Sequence, residues 1–431
     1  MIAMEASAPV ERSLKLSLAD AFLYSLMVGI GETYLPAFAL SVGLGEIFAG
    51  VLSSLPMVSG AFLQLLTPKG LQKVGSHKYW VVLSVSMQAL AFVPLIYYSV
   101  SGHPEFWVLF LILTLYWGAG FAANPSWNYW MAHLVPREMG QKYFSTRTSL
   151  TQIGILIGLV IGGVALHNKV TILSFTSVFS GLFLIAFLCR AGSSLFLSRK
   201  LFRADWRVDK KNLSGVRDSW RVFWMDPVKR RFFLRLVPFM ACVYVSAPFV
   251  TPYFLAQLKL DYGAYMVAIA ALMLGKIAAL AVLNRRPERG GGLGLFILGV
   301  VAVSPLPILW SVSTNGLFIL GLQFVSGAAL ASMELGLSLI FFRDLKAEEK
   351  VAVLTVYNLL NALSIILGTA IGGVLLGLLG ESVRGYLVLF AFGGIARVVF
   401  SRPLVRQARR WQNENEKSDA VLYPASGPQA R

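Results

Sequence analysis

The sequence predicts an all-α integral membrane protein: twelve transmembrane helices organised as two pseudo-symmetric six-helix bundles. Three observations predict it. Hydrophobic residues make up 56% of the 431 and charged residues only 14%, whereas a soluble domain carries about a quarter charged residues. Apolar stretches of about 20 residues, the length that crosses a bilayer, recur along the whole chain. The pattern Gly158-x-x-Ile161-Gly162-Gly163-Val164-x-Leu166 returns as Gly368-x-x-Ile371-Gly372-Gly373-Val374-x-Leu376, at an offset of 210 residues. Leu150 and Ile155 find their matches in Leu360 and Ile365 at the same offset. An intramembrane segment repeated after half the chain indicates two related bundles fused head to tail. That plan recurs in secondary transporters, with the substrate site where the halves meet.

The spans fall near 16–40, 46–66, 79–99, 106–132, 147–167 and 171–196, then near 232–257, 263–283, 293–312, 317–341, 352–378 and 385–404. The first stretch carries Asp20 and Glu32 and has no small-residue cleavage site, so it reads as a retained span. Lys and Arg set the orientation. With both termini cytoplasmic, the outer loops contain only Lys169, Lys259 and Arg384, while the inner loops contain clusters such as Lys69, Lys73 and Lys78, or Arg285, Arg286 and Arg289. The net charge of +17 thus belongs to cytoplasmic loops at a cell (inner) membrane and not to a nucleic-acid surface. Losing one span would invert the asymmetry beyond it.

The domain plan follows. Residues 1–196 form the N-terminal six-helix bundle. Residues 197–231 form a cytoplasmic linker, basic through Arg199, Lys200, Arg203, Lys210 and Lys211, then amphipathic through Trp220, Val222, Phe223 and Trp224. Aromatics beside Arg221, Lys229, Arg230 and Arg231 suit a helix lying at the headgroup layer. Residues 232–405 form the C-terminal bundle, and residues 406–431, polar with Pro424, Gly427 and Pro428, read as a disordered tail.

Six plus six spans, a long basic central loop and paired Gly-rich fifth and eleventh spans together resemble the major facilitator superfamily, in its prokaryotic form, over nearly the whole chain. Pro68-Lys69-Gly70-Leu71-Gln72-Lys73-Val74-Gly75-Ser76-His77-Lys78 is similar to the family's Gly-x-x-x-Asp-Arg-x-Gly-Arg-Arg loop, with Gln72 in the acidic place and Pro68 in that of the first Gly. Leu134-Val135-Pro136-Arg137-Glu138-Met139-Gly140 is similar to the Pro-x-Glu-x-Arg-Gly loop, with Met139 in place of the arginine. The resemblance implies that the first, fourth, seventh and tenth spans line a central cavity. It implies nothing about the substrate.

Ionisable groups inside a span cost about 2.5–3.5 kcal/mol each on insertion scales. Asp20, near the start of the first span, and Arg397, within snorkelling reach of the end of the twelfth, read as interfacial or structural charges. Glu334 shares a helical face of span ten with Gln323, Gly327 and Ser338. The 210-residue offset maps it onto Asn124, and the resemblance would place the two facing each other across the cavity. At about 1.5 Å rise per residue, Lys276 and Glu334 lie at similar depth and Glu32 lies on the opposite side of the midplane. Glu334, Glu32 and Lys276 are the proton-coupling candidates, and a fixed Lys276–Glu334 bridge is an equally open reading. In span four, Trp117, Gly120, Asn124, Trp127, Asn128 and Met131 form one stripe, with Tyr129 and Trp130 beside it and Pro125 expected to kink the helix. Aromatic faces beside amides suit an organic ligand with a ring or hydroxyls. Trp130 reads as part of an interfacial aromatic belt, and Trp127 as belt or cavity. Tyr24, Tyr244 and Gln323 complete the substrate-binding candidates, with Gly31 and Thr251 as weaker lining. Gly158, Gly162, Gly368 and Gly372, one helical turn apart in each repeat, allow close helix approach at a moving interface.

Gly275-Lys276 lacks the flanking residues of a phosphate-binding loop, so an ATP-driven pump is not supported. The four His and two Cys make no metal set and no nucleophile–base pair is evident, so neither enzyme chemistry, a cofactor nor a metal is expected. The expectation is a monomeric, multi-pass secondary active transporter that moves a small organic solute by alternating access and is coupled to protons. Three alternatives stay open: symport of a sugar or small solute, export of a drug or amphiphile, and a receptor or scaffold of the same fold that transports nothing.

Overall fold

The computed structural model describes residues 8–64, 66–136, 140–171, 177–202, 216–285, 291–341, 345 and 347–422. Its regular elements are helical, and no strand occurs among the described residues. Among the described residues, twelve helical runs are long and apolar enough to cross a membrane. The first six are Ala8–Ser41, Glu46–Gln64, His77–Ser101, Phe106–Met131, Thr146–His167 and Val178–Ser198. The last six are Pro227–Gln257, Tyr262–Leu283, Gly292–Leu309, Gly316–Leu339, Val356–Leu379 and Val383–Glu414.

The chain divides into two compact units, Met1–Leu213 with Pro248–Ala270, and Ser214–Ala247 with Ala271–Arg431. Within the first, span one packs against spans five and six, span four against spans two and three, and span six against span three. Within the second, span seven packs against spans eleven and twelve, and span nine against spans ten and twelve. Span eight meets span ten where Gly275 and Gly327 let the backbones touch. The pairing scheme of one unit is therefore that of the other advanced by six spans.

The duplicated glycine pattern explains one of these matched contacts. A Cβ on Gly158 would stand 2.7 Å from the Leu26 carbonyl oxygen and 3.0 Å from the Gly29 Cα of span one. A Cβ on Gly368, the repeat's equivalent, would run into the Ala241 carbonyl and stand 2.7 Å from Tyr244 Cβ of span seven. Both glycines seat their helix directly on the backbone of its neighbour. Gly162 does the same against the Tyr34 ring, and Gly372 is buried.

Span seven is broken by its prolines. A 3-10 turn at Ala247–Phe249 contains Pro248, and Pro252 precedes a π turn at Tyr253–Gln257. Proline has no N–H to give the preceding turn, and the division between the units falls at this break. Past it, the segment belongs to the first unit: Gln257 Nε2 donates to Glu46 Oε1 at 2.7 Å, and the Tyr265 ring meets Tyr34 edge-on at 6.1 Å.

The loop after span two folds as a short helix, Thr67–Val74, closed by Gly75 at φ 71°. Ser76 then caps span three by accepting from the Tyr79 N–H. In the loop after span four, Arg137, Glu138 and Met139 lie outside the described residues. Of the linker, residues 203–215 also lie outside them; Val216–Met225 is an amphipathic helix. Its Phe223 is buried beside Phe233, while Trp224 is exposed beneath the Arg230 guanidinium.

One expectation needs correction here. The last helix runs Val383–Leu422, so the stretch read as a tail begins as helix. Leu404, Ala408 and Trp411 are buried at helical spacing, with Trp411 on the Phe232 ring. This face of the helix is apolar although the segment as a whole is polar, and composition alone hides it. Residues 423–431 lie outside the described ones. Pro125 lies inside the helix Phe106–Leu134.

Candidate functional site

The first span carries a polar stripe at helical spacing: Ser13, Ser17, Asp20 and Tyr24. A stripe of this kind must face protein or water, since lipid offers no hydrogen bonds. It faces the middle of the first unit, where Asp20 is 3% exposed. There a cavity of about 340 Å³ is walled by Asp20 and Tyr24 of span one, Gln88 of span three, Trp117, Asn124, Trp127 and Asn128 of span four, Arg147 of span five and Arg190 of span six.

The charged groups on this wall form one connected set. The Ser193 hydroxyl donates to Asp20 Oδ1 at 2.6 Å and accepts from Arg190 Nη1 at 3.1 Å. Arg190 Nε donates to Gln88 Oε1 at 2.8 Å, and the guanidinium carbon lies 4.6 Å from the Tyr24 ring centroid. Arg147 Nη2 is 3.8 Å from Asp20 Oδ2, and its guanidinium covers the Trp127 ring at 4.2 Å. Gly120 lets Gln88 reach the wall: a Cβ there would stand 2.9 Å from Gln88 Nε2. Two planar cations are thus stacked on aromatic faces, with one carboxylate between them.

The end of this set is sealed by Lys200, just past span six and 1% exposed. Its Nζ lies 3.2 Å from the Ser17 hydroxyl, 3.1 Å from Met131 Sδ and 4.4 Å from the Trp130 ring centroid. Burial pushes its pKa down to about 7, against the pull of Asp20 in the other direction. The backbone carbonyl of Lys200 accepts from Lys78 Nζ at 2.8 Å, and that of Leu201 accepts from the Trp130 indole at 2.9 Å.

Of the residues expected from the sequence, Tyr24, Trp117, Asn124, Trp127 and Asn128 meet on this wall. Glu32 does not line it; its Oε2 accepts from the Tyr116 hydroxyl at 2.6 Å. Tyr244, Lys276, Gln323 and Glu334 belong to the second unit. Lys276 Nζ lies 2.9 and 3.1 Å from the two carboxylate oxygens of Glu334, whose side chain is 55% exposed, and Gln323 is buried. Thr251 approaches the Tyr265 hydroxyl at 3.4 Å in the first unit.

Of the two readings left open for Asp20, its burial in the network just described fits a structural charge. Two other single-residue readings are corrected. Trp130 is fully buried with its N–H spent on Leu201, so it is an anchor and not a belt residue. Arg397 does not snorkel: it is 5% exposed, and its guanidinium donates to the Cys242 and Val243 carbonyls and to the Ser246 hydroxyl, at 3.4, 3.0 and 2.6 Å. Arg147, Arg190 and Gln88 were not anticipated. A lone arginine within the apolar run Leu184–Phe196 is a signal that the rule of costly intramembrane charges could have raised. No group of His, Cys, Asp and Glu able to hold a metal occurs among the described residues.

The sequence matches the profile of the Major Facilitator Superfamily over residues 19–369. No curated protein matches it in sequence. Among solved structures, a mutant of the nucleoside transporter NupG is similar with a TM-score of 0.70 at 12% identity, over 91% of this chain and 99% of that one. The Escherichia coli fucose:proton symporter FucP follows the same fold at a TM-score of 0.62 and 12% identity, over 94% and 99% of the two chains. A bacterial homologue of the human lysosomal transporter Spinster, inward-facing and unoccupied, gives 0.61 at 12% identity, over 95% and 97%.

Proposed function

The chain belongs to the Major Facilitator Superfamily and is a multi-pass membrane transporter, not an enzyme; from that premise we propose that it is a proton-coupled symporter of a small, ring-bearing organic solute. The observation that carries this reading is the wall of the first unit's cavity, where indole faces alternate with the amides of Asn124 and Asn128. Ring faces stack on such a surface and ring substituents bond to its amides. The similar structures include a nucleoside transporter and a fucose:proton symporter, both named for ring-shaped, hydroxylated solutes. The substrate contacts assigned to this unit are Trp117, Asn124, Trp127, Asn128 and Tyr24. Tyr244 and Gln323 are assigned as contacts from the second unit.

Glu32 is the coupling residue in this reading. Its carboxyl is held by a neutral phenol, with no cation within 4 Å among the described residues. An acid so placed can gain and lose a proton without breaking an ion pair. Glu334 has an ion-pair partner to lose. The protein sits in the inner membrane as a monomer with both termini cytoplasmic, a placement supported by the Lys and Arg distribution. The glycines Gly158, Gly162, Gly368 and Gly372 serve the helix contacts that let the bundles move in alternating access.

Reconstitution tests the reading. Proteoliposomes with an imposed pH gradient should accumulate solute, and Glu32→Gln should abolish that accumulation while keeping counterflow exchange. Accumulation by Glu32→Gln at the wild-type rate removes Glu32 from the coupling step. Extrusion with the gradient reversed would identify an exporter. Cysteines placed singly at Ser101 and Ser214 test orientation: labelling of position 214 from outside with position 101 protected would invert it.

A further inference from the structure

The charge on the cavity wall is not balanced, and the imbalance identifies a feature of the solute. The wall holds Asp20 against Arg147 and Arg190, a formal total of +1 from these residues. Asp20 is already engaged: Oδ1 accepts from Ser193 and Oδ2 faces Arg147. Arg190 is 6% exposed, and among the described residues no carboxylate lies within 4 Å of it. A guanidinium has five N–H donors. Those of Arg190 meet the side chains of Gln88 and Ser193, both neutral. A buried cation left with neutral partners is expensive unless something else neutralises it.

Leftover donors cluster on the same wall. Arg147 Nε and the Trp127 indole N–H are both buried without a hydrogen-bond partner among the described residues. Each such orphaned donor costs about 1–3 kcal/mol, and both belong to residues that line the cavity. Both of these groups lack an acceptor. Lys200 adds to the same sign, with its ammonium 5.8 Å from the Trp127 ring. The nearby Glu32 carboxyl is bonded to Tyr116 and does not line the wall.

The second unit supplies a comparison. Span twelve also carries a buried arginine, Arg397, but that guanidinium is bonded to two backbone carbonyls and a serine hydroxyl. It has acceptors of its own. The two arginines occupy corresponding spans of their units, and of the two the one on the cavity wall has neither a backbone carbonyl nor a carboxylate as partner.

We infer that the transported solute is an organic anion, a ring compound bearing a carboxylate whose negative charge is received by Arg190 and Arg147 while the ring lies on the aromatic faces of span four. The inference rests on the transporter reading above and narrows its substrate to one charge class. A planar carboxylate matches the fork of a guanidinium with two parallel hydrogen bonds, which a hydroxyl or an amide does not.

The test uses matched pairs of probes on the purified full-length protein: glucuronate against glucose, shikimate against methyl shikimate, and 4-hydroxybenzoate against 4-hydroxybenzamide. Thermal stabilisation and counterflow in proteoliposomes are read for each. At least one acid should bind and exchange while its neutral partner does so at least about tenfold more weakly, the worth of one charge-assisted hydrogen bond. Arg190→Gln should remove the preference for the acid, and Arg190→Lys should retain part of it. Because Arg190→Gln could fold poorly, the acid-to-neutral ratio of the wild-type protein stands as a second, independent readout. Preference for neutral members, or no response to any acid, overturns the inference. In the first case exchange of the neutral probe leaves the transporter reading standing; absence of exchange with every solute, neutral or acidic, counts against that reading itself.

Discussion

Ser193 bridges Asp20 and Arg190: its hydroxyl donates to the carboxylate at 2.6 Å and accepts from the guanidinium at 3.1 Å. One neutral side chain thus keeps two opposite charges of different helices apart and in register, 173 residues distant in sequence from Asp20. Replacing it should be felt by both. Ser193→Ala takes a donor from a buried carboxylate and should cost about 1–3 kcal/mol, read as a lowered Tm in detergent. Ser193→Thr keeps the hydroxyl and should lose less; equal losses in both variants would mean that volume, not the hydrogen bond, matters there.

The Lys276–Glu334 pair should matter little for stability. Its side chains are 28% and 55% exposed, and pairs of that exposure are worth about 1 kcal/mol or less. Glu334→Gln should therefore keep near-wild-type yield and thermal stability, and should still accumulate solute on a pH gradient. Loss of gradient-driven accumulation with counterflow preserved would transfer the coupling role from Glu32 to Glu334.

Lys200 gives the protein a pH dependence whose sign follows from its burial. Its pKa lies near 7 when folded, against 10.5 when free. The unfolded chain therefore binds the extra proton between those values, so stability rises with pH across that window and the full cost of the buried charge is present below it. The wild-type Tm should climb from about pH 7 to about pH 9. Lys200→Met should raise the Tm at neutral pH and flatten the climb. An unchanged slope in the variant would show that other groups set it.

Gly158→Ala should fail where Gly192→Ala succeeds. The new Cβ at 158 meets backbone, the Leu26 oxygen at 2.7 Å, while at 192 it meets only Leu23 Cδ1 at 2.9 Å, the tip of a side chain that can rotate away. Lower yield and turnover are expected for the first variant and near-normal values for the second, measured by size-exclusion profile and counterflow rate. Normal turnover of Gly158→Ala would show that spans one and five can separate without consequence.

The fold was legible because its signals are long and repeated. Twelve apolar runs, a charge asymmetry and a duplicated Gly pattern each involve many residues, and local errors do not change their sum. The wall of span four was legible for a related reason: Trp117, Asn124, Trp127 and Asn128 lie on one helix, and helical spacing alone brings them together. Asp20, Gln88, Arg147 and Arg190 come from four different spans. Their meeting is a property of packing, and no spacing within one segment announces it. Trp130 misled because closeness to a span end was taken as exposure to the interface. Side chains and the residues that follow span six fold back over that end, and Ser13, Lys200 and Leu201 close it. The last helix misled because composition averages over its faces.

Arg397 has a consequence for how the protein is made. Its guanidinium finds its acceptors on span seven, at Cys242, Val243 and Ser246. During synthesis, span twelve leaves the ribosome about 150 residues after span seven, in line with the 155 and 154 positions that separate the partners. A nascent span carrying an arginine has no good place in lipid until a protein surface is there to receive it. Span seven, with its carbonyls and Ser246 already in place, is that surface. Stable seating of the final helix is thereby expected to depend on the earlier one, since without span seven its arginine has no acceptor in lipid.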